Sequence, residues 1–482
     1  MIPIDPIQRL IAAMGPPAAF AVGLALIVLA GFGRGRSRVS KVLGVLTLLA
    51  GLVLVFPRAR PAPAAGALLA PDGFSTAWQI LFYAGALPFA ILGAAGTEAP
   101  ALLYLGSALG MGIIALSRNL LMLFIGLELM SIPAYLLVSG LGRRERASSE
   151  AALKYFFSGG AASAFFLLGI ALYYARMRTL AFAPGAAPAD PLLGASLALM
   201  GTAALFKIGA VPLHFWLPDV YEASAPELAG FFSTALKAAA VLFLMRVVSI
   251  APASALAKAL PWVGALTMFV GATLALGQAS LQRLLSYSSI AHAGNIILGV
   301  GAWAALGASP AAAYAVYFYL AAYLFMNNGA FSFLAVSGLK TREDLKGFAK
   351  GSPVLAGLFA VFMLALGGAP PTAGFLAKLL VFWEALKAGL YAPLAFALLS
   401  ALIALVYYLS LVRDAYFEEG AAVQPKGEPS PTASGRALAS GAAVSVRGSL
   451  VGRAVLWACA APSAALGLFP IVLGPIQRLL GL

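Results

Sequence analysis

Lys207 lies near the end of a run, Leu192 to Val211, that is otherwise apolar or small, and Lys237 lies in the middle of another. Between them the chain breaks at Pro212 and crosses a polar link carrying His214, Asp219, Glu222 and Glu227. A lysine at the centre of a membrane helix costs ~3 kcal/mol on insertion scales. Such a cost is borne where the group conducts, since ionisable residues at membrane depth mark ion and proton paths. Lys207 is five residues before Pro212, close enough for its stem to snorkel to an interface. Lys237 is eleven residues past Pro226 and has no such escape.

Six ionisable side chains lie in apolar runs away from the loops: Glu128, Lys207, Lys237, His292, Lys378 and Glu384. Their types suggest proton transfer. A buried carboxylate near an ammonium lets both stay charged, and separating them by a few ångströms makes the lysine release its proton. Glu128 and Lys207 are the candidates for that switch, and His292, titrating near neutrality with two ring nitrogens, suits a relay. A histidine merely satisfied in the core is the rival reading. Lys154 reads as an interface anchor, and Glu384 with Lys387 as marks of a helix end. His214 and His292 are the only histidines, and with one cysteine, Cys459, and scattered acids they make no metal set. Cys459 reads as a small buried hydrophobe. No phosphate loop or dinucleotide fingerprint is present, so no cofactor is expected in this chain.

The elements that must carry these groups are membrane helices. The chain has 482 residues, 62% hydrophobic and 10% charged, against about 25% charged in soluble proteins. The net charge of +14 is spread through short loops and is no nucleic-acid footprint. Apolar runs fall at 11–33, 40–57, 74–95, 100–117, 119–140, 151–175, 191–211, 227–250, 259–279, 281–303, 311–337, 353–387, 391–416 and 451–475. The fold class is therefore an all-α membrane protein of about 14 transmembrane helices. The N-terminus, MIPIDPIQRL, reads as a retained first span, not a cleaved signal. Span 12 is too long for one straight helix and holds GGAPPTAGF at 367–375, so it is expected to be broken, as span 7 is at Pro212.

Loops after odd-numbered spans carry seventeen Lys and Arg against eight after even ones, which places the odd loops in the cytoplasm and both termini outside. The segment 418–450 reads as a flexible linker. RNLLMLFIGLE ends at Glu128 and QRLLSYSSIAH at His292, and Lys207 and Lys378 each stand beside a proline break. Spans 4–8 and 9–13 thus suggest two inverted five-helix repeats, an architecture with sites at broken helices. The expected organisation is 1–99 for the first three spans, 100–250 and 251–417 for the two units, the linker, and 451–482 for the last span.

GLELMSIPAYLL (126–137), EAALKYFFSGG (150–160), FKIGAVPLHFWLPDVYEASAP (206–226), SYSSIAHAGNIILG (286–299) and APPTAGFLAKLLVF (369–382) together carry a resemblance over nearly the whole chain. The chain resembles the antiporter-like membrane subunits of proton-pumping NADH–quinone oxidoreductase, respiratory complex I. The resemblance implies Glu128, Lys207, Lys237 and Lys378 as proton-path residues, with His292 on the central hydrated axis. Within the family, lysine at 378 and a chain ending at Leu482 resemble the N type; the M type usually has glutamate at that place, and the L type continues into a lateral helix. It also implies a bacterial inner membrane, M-like and K-like neighbouring subunits, and redox centres confined to partner chains. Subunits of multi-subunit Na⁺/H⁺ antiporters and of membrane-bound hydrogenases share these features and are the alternatives. A purely structural scaffold, which would tolerate loss of the buried lysines, is the third.

Overall fold

Where water cannot satisfy the backbone, a chain must satisfy it within each segment, and long apolar runs therefore fold as helices. The structure, a computed structural model, describes residues 4–30, 36–55, 68–93, 99–140, 146–182, 190–251, 253–418 and 450–468. Every regular element among these residues is helical. We number them α1 (Ile4–Ala30), α2 (Arg36–Val55), α3 (Gly73–Leu92), α4 (Ala99–Leu116), α5 (Leu120–Val138), α6 (Arg146–Met177) and α7 (Pro191–Ile208). After the short α8 (Trp216–Ala223) come α9 (Pro226–Ile250), α10 (Ala255–Leu276), α11 (Leu281–Ala305) and α12 (Pro310–Ser337). The last are α13 (Pro353–Gly367), α14 (Ala373–Lys387), α15 (Tyr391–Tyr416) and α16 (Leu450–Leu468).

Among the described residues, eleven helices are long and apolar enough to cross a membrane. Adding α1, the polar-bearing α11 and the α13–α14 pair accounts for the fourteen expected spans. Polar caps set several helix starts. Asp72, Asn119, Asp190, Ser254 and Ser280 each accept backbone N–H groups that the first turn leaves orphaned. The last span is described only to Leu468, and the predicted linker, apart from its edges, lies outside the described residues. Two short helices, Arg342–Leu345 and Phe348–Gly351, fill a loop where none was expected.

Both expected breaks are present, and they are built alike. Helix α7 ends on Gly209 at φ +83°, whose N–H bonds the carbonyls of Leu205 and Phe206 while Ala210 N–H also bonds Leu205. Helix α13 ends on Gly368 at φ +83°, with Gly368 and Ala369 bonding Leu364 in the same pattern. Glycine reaches that left-handed geometry without steric cost, so it closes the helix where a side chain could not. Proline follows each time, at Pro212 and at Pro370–Pro371, and blocks resumption of the helix.

Helix α9 is the hub. It is buried along its whole membrane window, whereas α15 buries a third of its own. A π-turn, Phe232–Leu236, interrupts α9 immediately before Lys237, a feature the sequence pattern did not reveal. Outward faces carry Phe157, Leu402 and Val406, each more than 60% exposed, as suits helices turned toward lipid or a neighbouring chain. Helices α10 and α11 approach backbone to backbone: a Cβ on Gly294 would lie 2.5 Å from Met268 N.

Candidate proton-path site

The sequence places Glu128 on α5, and the helical period puts Ser131 and Tyr135 three and seven residues on, along one stripe. Lys207, in the last turn of α7 before the glycine cap, reaches that stripe. Its Nζ donates to Ser131 Oγ at 2.8 Å and Tyr135 Oη at 2.7 Å, and stands 5.0 Å from the Tyr135 ring and 5.7 Å from that of Tyr155. It is 6% exposed, so it does not snorkel. Glu128 instead accepts from Ser163 on α6. The expected Glu128–Lys207 pair is therefore not in contact. Two hydroxyls on the carboxylate's own helix hold the ammonium, and the two charges interact across them.

Lys237, 2% exposed, donates to the backbone oxygen of Ser289 on α11 at 2.6 Å and also to its hydroxyl; Nζ lies 5.8 Å from the Tyr323 ring. One turn further along α11, His292 is 3% exposed, with Nδ1 2.7 Å from Tyr319 Oη and Nε2 3.2 Å from Tyr408 Oη. Tyr408 also bonds Ser288, so α11 presents Ser288, Ser289 and His292 to groups from three other helices. Lys378, on α14, points back to the break before it. Its Nζ donates to Gly367 O at 2.7 Å and Leu366 O at 3.1 Å. The carbonyls freed by the break are taken by the lysine itself.

The charged groups at the margins behave differently. Lys154 is 46% exposed at its side chain and bonds Glu150 and Asp219, each at 2.9 Å. Arg283 bonds Asp219 at 3.0 Å and Glu222 at 2.8 Å, tying α6, α8 and α11 together at one end of the bundle. Burial pushes the Asp219 carboxyl up, but Lys154 and Arg283 outweigh it and hold the group below the ordinary carboxylate range. Glu384, buried, is paired with the half-exposed Lys387 at 2.8 Å. Among the described residues, then, every peripheral cation named here has a carboxylate, and the three deeply buried lysines have only neutral oxygens. Ser131, Tyr135 and Ser289 were legible in principle, since they sit in helical register with Glu128 or His292. Tyr319 and Tyr408 carried no signal of their own.

Residues 117–404 match the family described as NADH:quinone oxidoreductase/Mrp antiporter, TM, more than half of the chain. The chain belongs to that family. It is 37% identical over 454 residues to NADH-quinone oxidoreductase subunit 14 of Thermus thermophilus, covering 93% of this chain and 98% of the relative. It is 41% identical over 326 residues to NADH-quinone oxidoreductase subunit N of Rhodococcus opacus, covering 64% of this chain and 59% of that relative, less than two thirds of its length. Among solved structures, a chain of respiratory complex I from Thermus thermophilus superposes with a TM-score of 0.80 at 34% identity, covering 95% of this chain and 98% of that one. A chain of the Mrp complex from Dietzia shares the fold, with a TM-score of 0.83 at 23% identity over 98% of this chain and 97% of that one. Glu128, Lys207, Lys237, His292 and Lys378 all fall inside the stretch matched by the antiporter family.

Proposed function

We propose that this chain is a membrane-arm subunit of an NADH–quinone oxidoreductase and carries protons across the bilayer. The path runs through Glu128, Lys207, Lys237, His292 and Lys378. The observation that carries this reading is the contrast between buried and peripheral cations. A salt bridge fixes a proton on its lysine, because the carboxylate stabilises only the charged form. Hydroxyl and carbonyl acceptors satisfy an ammonium without locking it, and a hydroxyl also accepts from water or donates to a neutral amine. Three lysines held this way, with Ser289 on α11 bonding Lys237 and His292 one turn further on bonding Tyr319 and Tyr408, supply a series of exchangeable carriers.

In this reading the subunit is of translocase class and holds no redox centre. Electrons pass from NADH to quinone in partner chains, and the pumping is driven by conformational or electrostatic coupling to M-like and K-like neighbours. The matching glycine caps of α7 and α13 support two related units, 100–250 and 251–417, inverted in the membrane. The membrane in this reading is a bacterial inner membrane, and the lysine and arginine bias of the loops supports both termini lying outside.

The test is purification of the tagged chain in mild detergent, followed by identification of the partner chains and reconstitution. Recovery of quinone-reducing partners with NADH-driven proton uptake supports the proposal. Recovery of a set of antiporter subunits alone, with Na⁺-driven proton exchange, contradicts it.

A further inference from the structure

Asn295 lies one turn beyond His292 on α11 and is 7% exposed. Its Nδ2 donates to Ala291 O at 3.1 Å, while its Oδ1 is buried without a hydrogen-bond partner. A buried acceptor left unmade is destabilising, so such an atom needs an explanation in function or in an unseen partner.

The packing of α11 on α14 says what lies opposite. A Cβ on Gly299 would meet the Val381 methyls at 3.4 Å, so these residues face each other. Ala302, three residues past Gly299, shares a cluster with Ala385, four past Val381, and the chain returns once through α12 before the broken α13–α14 span, so α11 and α14 run in the same direction. Asn295 is four residues before Gly299 and Lys378 three before Val381. Each step is about one helical turn, which brings Asn295 and Lys378 to the same depth on facing stripes. Packed helices are about 8–10 Å apart, a span that a lysine and an asparagine side chain can bridge together. In the structure, however, the Lys378 ammonium is turned to Gly367 and Leu366.

We propose that Asn295 is a positioning residue for Lys378. Its Oδ1 gives the ammonium a second resting place beside His292, reached when the lysine swings away from the carbonyls of the α13–α14 break. This rests on the proton-carrier reading given above. Asn295 neither gains nor loses a proton; it holds the carrier, directly or through one water, where exchange with the histidine cluster is possible. Three neutral oxygens then share one ammonium between two sites, and neither site traps it.

The isosteric pair Asn295→Val and Asn295→Thr separates this from packing, since the two differ only in a hydroxyl that can accept from an ammonium. NADH-driven proton uptake is measured in vesicles holding the whole complex at equal content, with Lys378→Met as control. Asn295→Val is expected to slow uptake about tenfold, the consequence of one lost hydrogen bond to a charged group, with the melting temperature unchanged or raised. Asn295→Thr is expected to stay within about twofold of the natural chain. Equal uptake by the two variants, whether both normal or both impaired, overturns the role of Asn295. Normal uptake in Lys378→Met overturns the carrier reading itself, so the two failures are distinguishable.

Discussion

Replacing Lys237 by methionine separates a conducting lysine from a structural one. Methionine keeps most of the stem and fills irregular gaps, whereas alanine would leave a cavity costing about 2–5 kcal/mol in its own right. The ammonium is 2% exposed and bonded to Ser289 alone. Taking an ammonium out of water costs several kcal/mol after relaxation. Two hydrogen bonds from a charged donor return roughly 1.5–3 kcal/mol each. These terms nearly cancel, so losing both should shift stability by no more than about 1–2 kcal/mol, in either direction. Transport is another matter. A proton crossing the gap without its carrier faces a penalty near the ~3 kcal/mol of a charge at the membrane centre, about a hundredfold in rate. The assay is NADH-driven proton uptake beside thermal melting of the purified complex. Uptake that survives while the complex melts several degrees lower would refute the argument and assign Lys237 to packing.

Glu128→Ala should impair pumping and Glu128→Asp retain part of it. Because Lys207 is held by Ser131 and Tyr135, the stability loss should fall short of the 3–5 kcal/mol typical of breaking a buried contact pair; chemical denaturation of the complex measures it. Gly368→Ala forces a side chain into a left-handed position at φ +83° with Lys378 Nζ 3.0 Å away. It should cost about 1–2 kcal/mol and perturb the break, visible as faster hydrogen exchange over 366–373 with α15 unchanged. Asp219 titrates below its unfolded value, so its contribution is present above about pH 4 and is lost as pH falls through the folded pKa. Acidification from pH 6 to 3 should therefore lower the melting temperature less in Asp219→Asn than in the natural chain, and equal losses would show that the network with Lys154 and Arg283 contributes nothing.

The fourteen spans were legible because hydropathy and length leave few choices inside a membrane, and the breaks because Pro212 and Pro370–Pro371 cannot continue a helix. The depth of Lys237 followed from counting residues past Pro226. What stayed hidden depends on contacts between distant segments. Nothing local says that Lys207 would prefer the hydroxyls of Ser131 and Tyr135 to Glu128, because that choice is set by how α7 seats on α5. The π-turn before Lys237 has no compositional signature; Phe-Ser-Thr-Ala-Leu fits an ordinary helix equally well. Nothing in the sequence around Lys378 says that its ammonium turns back onto the break to meet Gly367 and Leu366. Tyr408 stands in an aromatic-rich span where only the fold shows that its hydroxyl meets His292.

The central claim, that the buried lysines carry protons, is tested most directly at Lys378. Quinone-driven proton uptake is compared between Lys378→Glu and Lys378→Met at equal complex content. Glutamate keeps an ionisable group at the break, and methionine keeps the stem without the charge. A relay predicts clearly more uptake with glutamate than with methionine. Methionine performing as well as glutamate, or better, would contradict it.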